Sequence, residues 1–529
     1  MKFKIITLIL SFLLAGTVFP QNLPKAFYLN GNKKLNKVAA DVTPNSNAVT
    51  DIITMGDTVW IGTDEGVSLT TDGGSSWKNF TGTPAFGSES ASALGYDKYN
   101  GVFWAATDHN ENTSQGSVQT GSGLRYTSDL GNTWTTISQP VDADSDSVLV
   151  YDGIDTLHAL PVTVPEQNVI FNIAFTPNTV WIASWAGGLR KSTDMGKSWQ
   201  RVVLPLDNMN SINPDDTLKN ICYSPIASGT NCNMVNNNLL GFSIAVVDSL
   251  TLYVGTAGGI NKSYDGGTSW TRFDHVNENN PLSGDWVVRL IYNSFNNTIW
   301  AATRPAGGAS EIYAVSYSTD GGANWTTTLP NQTIENFAAQ NNRVIAAVDQ
   351  GAFMTSNMGT DWTSPGTVIS AISGIPLNTT TFYSAAFQGS TIWLGSSEGL
   401  GKLTGNTSGW DGTWEVFTAS QPLSSSKANT YAFPNPFNPN TDILKIKYGT
   451  NGSVPVTIRI FDFSMHIVRT VIQNAQRGNP THVIDNSSGT IDYWDGKNDT
   501  GSIVPNGVYF YRVDAGSEKP VYGKILVLH

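Results

Sequence analysis

Between residues 50 and 418 the hydrophobic positions recur in one order. A short apolar strand carrying Trp or Tyr leads to a Gly turn. A second strand and a turn of the form Ser/Thr-x-Asp-x-Gly-x-x-Trp then follow. The copies are TVWIGTDEGVSLTTDGGSSW (Thr58 to Trp77), FWAATDHN…GLRYTSDLGNTW (Phe103 to Trp134), TVWIASWAGGLRKSTDMGKSW (Thr179 to Trp199) and TLYVGTAGGINKSYDGGTSW (Thr251 to Trp270). Three more are TIWAATRPAGG…VSYSTDGGANW (Thr298 to Trp325), RVIAAVDQGAFMTSNMGTDW (Arg343 to Trp362) and TIWLGSSEGLGKLTGNTSGWDGTW (Thr391 to Trp414), the last with a degenerate turn. Each copy has an apolar stretch before it and a short one after it, as in AVTDIITMG before Thr58 and KNFTG after Trp77. Each unit therefore predicts four antiparallel strands, A to D. One such sheet cannot bury both faces. Seven packed face to face around an axis can, so the repeat predicts a seven-bladed β-propeller over 50–418.

The repeated turn resembles the Asp-box (BNR) repeat, found in sialidases, xyloglucan hydrolases, the sortilin ectodomain and photosystem assembly factors. The box carries no chemistry in those families. Asp72, Asp129, Asp194, Asp265 and Asp320 are therefore expected to be structural, each carboxylate accepting N–H groups of its own turn. Asn357 takes that place in the sixth copy.

After Trp414 the composition turns polar over a linker, 419–430, and the alternating pattern resumes in 431–529, clearest in Val456 to Phe461 and Val508 to Val513. This length with six or seven strands predicts an immunoglobulin-like β-sandwich. Within it Pro434-Asn435-Pro436-Phe437-Asn438-Pro439, Trp494-Asp495-Gly496-Lys497-Asn498-Asp499 and Gly507-Val508-Tyr509-Phe510-Tyr511 resemble the type A sorting domain of type IX secretion, a pattern shared with hook-capping Ig-like domains. The resemblance implies passage across the outer membrane of a Gram-negative bacterium, then release or surface anchoring, with the type IX machinery as partner.

The N-terminus agrees with export. Lys2 and Lys4 precede the apolar run Ile5 to Leu14, which is too short to span a bilayer and suits a signal peptide over 1–20. A further segment, 21–49, leads to the repeats. No later apolar run is long enough to cross a membrane. In an exported chain the two cysteines, Cys222 and Cys232, are expected to form a disulfide. Charged residues are 14% and aromatics 11%, the reverse of a disordered chain, and the net charge of −12 leaves no basic footprint for nucleic acid. Residues 431–529 hold 9 Lys+Arg and 8 Asp+Glu, so the acidity belongs to the rest of the chain.

In this arrangement the D→A and B→C connections share one face, and the boxes occupy the other. The long insertions all fall on the first face: Thr81 to Ser92, Ser138 to Gln167, Leu204 to Leu240 and Asp274 to Asp285 as D→A connections, Asp108 to Gly121 and Arg304 to Ser310 as B→C connections. Long insertions in a compact domain carry function or disorder, so this is the expected binding face. Rim positions after strand B supply the candidate binding residues: Asp64, Asp108, His109, Trp185, Arg304 and Glu398, with Glu65 beside them. Trp185, flanked by Gly187 and Gly188, suits stacking on a sugar ring or a partner. No residue pair is singled out as catalytic. No Phe-Arg-Ile-Pro motif precedes the first box, and no spacing isolates two carboxylates of the kind that glycoside hydrolysis needs. No metal ligand set is evident. The run Asp142-Ala143-Asp144-Ser145-Asp146 resembles the start of a calcium loop without its later Gly and Glu, which leaves calcium open and no other cofactor implied. The expected function is ligand binding, of a glycan or a protein, outside the cell; a sialidase- or xyloglucanase-like glycoside hydrolase on the same scaffold is the alternative.

Overall fold

In the computed structural model, residues 43–419 and 430–529 are described, apart from 114–115, 154, 217–220, 228–231, 233, 372–375, 378, 408, 441, 451–452 and 478–489. The predicted signal peptide, most of the segment after it and most of the linker lie outside them. The chain is all-β: among the described residues the helical structure is the 3-10 turn Asn237–Leu239. The chain divides into two units after Thr418.

The first unit is a β-propeller. Seven antiparallel sheets follow one another along the chain, each adding strands outward in sequence order, as in Val49–Met55, Thr58–Thr63, Gly66–Thr70 and Lys78–Asn79. The innermost strands are Val49–Met55, Ser90–Asp97, Ile170–Thr176, Gly241–Val246, Trp286–Asn293, Ile334–Gln340 and Phe382–Gln388, and each packs against the next. The last packs against the first, which closes the ring. Two sheets depart from four strands. The fourth gains Ser211–Ile212 on its outer edge, and the sixth keeps three, its outer strand reduced to the bridge Met354↔Thr363.

The repeated residues explain why the sheets stack. Trp60, Trp104, Trp181, Trp300 and Trp393, one per strand B, are at most 2% exposed. The Trp of the turn reaches the preceding sheet: Trp134 packs edge-on to Trp60 at 5.8 Å, Trp362 to Trp300 at 6.2 Å, and Trp77 to Phe417 at 5.9 Å across the ring closure. The turn itself is knotted by its aspartate. The Asp72 carboxylate accepts Ser76 N (2.9 Å) and Ser76 Oγ (2.6 Å) while Thr70 Oγ1 donates to it at 2.8 Å. Asp129 and Asp194 repeat this with Thr133 and Ser198. These donors hold the carboxyls of Asp72, Asp129 and Asp194 down at about 2. In the sixth copy the polarity is exchanged: Asn357 Nδ2 donates to Asp361 Oδ2 at 2.9 Å, so the carboxylate stands on the other partner.

Long insertions fold rather than loop. Val148–Tyr151 and Asp155–Ala159, from the connection into the third sheet, form a small sheet with Cys222–Tyr223 from the next connection. Cys222 is bonded to Cys232. Asp142, read from sequence as the head of a calcium-like run, is buried and faces two guanidinium groups, Arg190 at 2.7 Å and Arg201 at 3.5 Å. The expected B→C insertion Asp108 to Gly121 is instead a long hairpin. Val102–Thr113 and Gly116–Thr127 stay paired to Thr113↔Gly116, because the alternating polar residues sustain the ladder.

The second unit is a β-sandwich. Thr430–Phe433, Leu444–Tyr448 and Thr490–Trp494 form one antiparallel sheet; Ile467–Arg477, Val454–Phe461, Gly507–Ala515 and Val521–Val527 form the other. Both inner faces share a core that includes Ile446, Ile458, Tyr511 and Ile525. The three stretches singled out in the sequence meet there. Phe437 is fully buried 5.7 Å from Trp494, which lies 5.9 Å from Tyr509. Phe437 is also tied to the last strand: its N–H donates to Leu526 O and its carbonyl accepts Leu528 N.

Gly74 separates two roles of turn glycines. Its φ is +98°, and a Cβ there would meet the Phe417 ring of the seventh sheet, whereas Gly82, at φ +75°, has nothing within 4 Å. Gly82→Ala should cost only the backbone strain, about 1 kcal/mol, and Gly74→Ala a further ~1–3 kcal/mol from the ring closure. Urea denaturation of both variants measures the difference; equal losses would show that the seam tolerates the extra atom.

Candidate functional site

Every innermost strand of the propeller carries a register shift near its start, on the face that holds the D→A and B→C connections. The extra residues are Thr50, Ser92, Phe171, Phe242, Val288, Glu335 and Tyr383. A bulge kinks its strand and re-aims side chains, and here seven of them encircle one mouth of the central channel.

That mouth has two halves. On the side of the third to fifth sheets it is aromatic. Phe171 stacks on Phe242 at 5.8 Å, and Trp185 packs against Phe242 at 5.3 Å and Trp286 at 5.5 Å. On the side of the sixth, seventh and first sheets it is acidic. Burial first, then the charges of Glu335, Asp349, Glu398 and Asp64, push the Tyr383 hydroxyl up to about 12. Glu335 is buried with Arg304 Nη2 3.3 Å from its Oε2.

Asp64 and Glu398 thus lie close enough to Tyr383 for their charges to act on its hydroxyl. The structure places Trp185 in the aromatic half, half-buried rather than freely exposed. Arg304 is not a rim residue. It ends strand Thr298–Arg304, is 2% exposed, and spans to the sixth sheet through Glu335 and Ile334 O (3.2 Å). Asp108 and His109 lie inside the long hairpin, because pairing continues past them, and form a separate group. His109 Nδ1 is 2.7 Å from Ser122 Oγ and 3.2 Å from Glu89 Oε2, and Ser122 Oγ also donates to Glu89. Asp108 is buried and accepts Gln119 Nε2 at 2.7 Å. Burial, with the nearby charge of Glu89, raises its carboxyl to about 7.

Sequence reasoning missed Glu335, Tyr383, Asp349 and Glu89. Asp349 stands just after strand B of the sixth copy, in register with Asp64, so the repeat itself held that signal. Glu335 and Tyr383 share a place at the second residue of their strands, and the bulge that turns them toward the mouth leaves no mark in the alternation.

Deeper in the channel four innermost strands that are not all neighbours meet. Arg289 Nε donates to Asn336 Oδ1 at 2.8 Å, and Arg289 Nη2 and Asn336 Nδ2 each reach Asp51 Oδ1 at 3.3 Å. Leu94 N donates to Asp51 Oδ2 at 3.2 Å. This cluster joins the first, second, fifth and sixth sheets below the bulges.

No protein-family model matches the chain, and no curated protein matches it. Solved structures similar to it include YCF48 from Cyanidioschyzon merolae, at 15% identity over 68% of this chain and 92% of that one, TM-score 0.36. PorZ of Porphyromonas gingivalis, an essential bacterial surface component of the type-IX secretion system, is similar at 14% identity over 91% of this chain and 66% of its own, TM-score 0.32. An ancestral GH74 enzyme is similar at 13% identity over 92% and 64%, TM-score 0.49. Identities this low transfer no substrate or partner.

The raised carboxyl of Asp108 has a measurable consequence. Between about pH 4 and pH 7 the unfolded chain gives up this proton while the folded chain keeps it, so the group lowers stability as pH rises through that window. Asp108→Asn should be more stable than the parent at pH 8 by on the order of 1–3 kcal/mol and equal to it at pH 4. Urea midpoints at the two pH values test this; a constant difference would place the Asp108 pKa near its ordinary value.

Proposed function

We propose that the chain is a secreted or cell-surface binding protein of a Gram-negative bacterium, and that its propeller takes a glycan or protein ligand at the bulge-ringed mouth. The observation that carries this reading is the split mouth, with Trp185 on an aromatic wall facing the carboxylates around Tyr383. Aromatic rings cover the apolar faces of sugar rings, and carboxylates accept their hydroxyls, so the pairing of the two halves favours a glycan. In this reading the seven sheets are seven blades over 50–418, and the repeated turns are Asp boxes with a structural part. Residues 1–20 are the signal peptide and 419–430 the linker. The sandwich, 431–529, is an Ig-like type A sorting domain that engages the type IX machinery. Its support is the meeting of the three stretches around Phe437 and Trp494. No helix among the described residues is long and apolar enough to cross a membrane.

A glycoside hydrolase is the second reading, and one observation favours it. Asp108, raised to about 7, lies within the field of Glu89, and a neutral acid beside a second carboxylate is the pairing such chemistry uses. Its burial weighs against direct contact with a substrate.

Trp185→Ala should weaken binding of a glycan identified on an array by roughly 1–3 kcal/mol, whereas Asp265→Ala on the opposite face should lower the melting temperature and leave affinity unchanged. The reverse pattern would move the site to the box face, and turnover of the glycan that stops on Asp108→Asn would make the protein an enzyme. Deleting 431–529 should leave a folded propeller in the periplasm, scored by fractionation. Undiminished amounts in the medium or at the surface would refute the sorting role.

A further inference from the structure

The other end of the channel holds a cavity. It has a volume of about 250 Å³, just under the usual range for drug-sized ligands, so it suits a small one. Its walls are the later halves of the innermost strands of the first to fifth sheets, including Ile53, Leu94, Ile173, Phe175 and Ile244. Lys98 and Tyr99, from the A→B turn of the second sheet, line it too, so it opens on the face of the box turns, opposite the mouth described above.

Its polar equipment is one-sided. The charged residues lining it are Lys98 and Arg289, and no Asp or Glu lines it, in a chain whose net charge is −12. Arg289 uses Nε on Asn336 and Nη2 on Asp51. Asn172 uses its carbonyl oxygen on Ile244 N. Among the described residues, Arg289 Nη1, Asn172 Nδ2 and Lys98 Nζ have no hydrogen-bond acceptor. Lys98 is exposed, and its Nζ lies 5.3 Å from the centroid of the Tyr99 ring. Unused side-chain donors, two of them cationic, thus face an apolar cavity of modest size. An apolar body fits the walls, and an anionic group fits the donors. A guanidinium edge matches a carboxylate, and its attraction is strengthened where the surroundings are apolar.

We infer that this cavity binds a monocarboxylate carried on an apolar or aromatic body, with Arg289, Asn172 and Lys98 as the carboxylate's donors. Two sources share that chemistry: a free aryl or alkyl carboxylic acid, and the C-terminal carboxylate of a peptide ending in an apolar residue.

The test is calorimetric titration of the full chain with 4-phenylbutyrate, with 4-phenylbutanamide, and with the tripeptide Ala-Ala-Phe as free acid and as amide. At least one acid should bind, and its amide should bind about tenfold more weakly or not at all. Lys98→Glu, at an exposed turn position, should weaken the acid about fivefold or more; Val246→Trp, which fills the cavity, should abolish binding; Trp185→Ala, on the opposite face, should leave it unchanged. Binding of the small acid alone identifies a free carboxylic acid as the source, and tighter binding of the tripeptide identifies a chain terminus. The proposal is overturned if neither acid binds up to about 10 mM, if amides bind as tightly as acids, if Lys98→Glu has no effect, or if Trp185→Ala abolishes binding. Because the glycan reading concerns the other mouth, either can fail alone.

Discussion

The propeller depends on how closely each repeated turn can approach the sheet before it. The glycine two residues after the box Asp (Asn357 in the sixth copy) lies against that sheet in six of the seven copies: Gly74 on Phe417, Gly131 on Phe80, Gly196 on Ile137, Gly267 on Trp181, Gly322 on Phe273 and Gly359 on Thr328. A Cβ at any of these points would press into the neighbour. The aspartate knot holds the turn in the shape that presents this glycine, and the turn tryptophan closes the gap beside it. Local turn chemistry thereby becomes a contact between sheets, which is why one short stretch recurs with so little change.

Closure follows from the same contact. The seventh sheet is built wholly from the C-terminal end of the repeats and meets the first through side chains rather than a shared strand. Thr54 Oγ1 donates to Phe387 O at 2.8 Å, Gln388 Nε2 to Gly56 O at 2.7 Å and Lys402 Nζ to Gly73 O at 2.6 Å. Trp77, Phe417 and Trp393 fill the space between. Once the ring is closed its innermost strands have no outer neighbour on the axis, and polar side chains take over. Asp51, Arg289 and Asn336 bond across the channel and divide it into two ends of opposite character. The bulged mouth is aromatic and acidic, and the far cavity is apolar with cationic donors.

A second polar device, less visible than the box, closes five of the seven B→C turns. Thr63, Ser184, Thr256 and Thr303 send a hydroxyl to the first carbonyl of strand C, and Ser396 sends one to Gly399 O just before it. In the first and fourth sheets a buried Asn, Asn45 or Asn238, bonds the same hydroxyl and the neighbouring strand. The repeat displays that Thr or Ser in nearly every copy, but its purpose depends on a partner from outside the repeat.

The sequence by itself determined the all-β class, the order of strands within the repeats and the cysteine pair, because each follows from local periodicity, turn stereochemistry or composition. It could not determine which side chains reach the axis. Asp64 and Glu398 were legible as equivalent rim positions, but the action of both charges on Tyr383 needs the seventh sheet to lie against the first. Arg304 carries the same positional signature as Trp185, yet one is buried against Glu335 and the other lines the mouth. A one-residue bulge and a neighbour about 30 residues on, neither visible in alternation, decide between them. The Asp108 carboxyl is pushed up only because the hairpin buries it, with the charge of Glu89 adding to the shift. Pairing within a sheet is local and leaves a pattern in the chain; the field and burial of a side chain on the axis are sums over distant strands, and only the closed ring sets them.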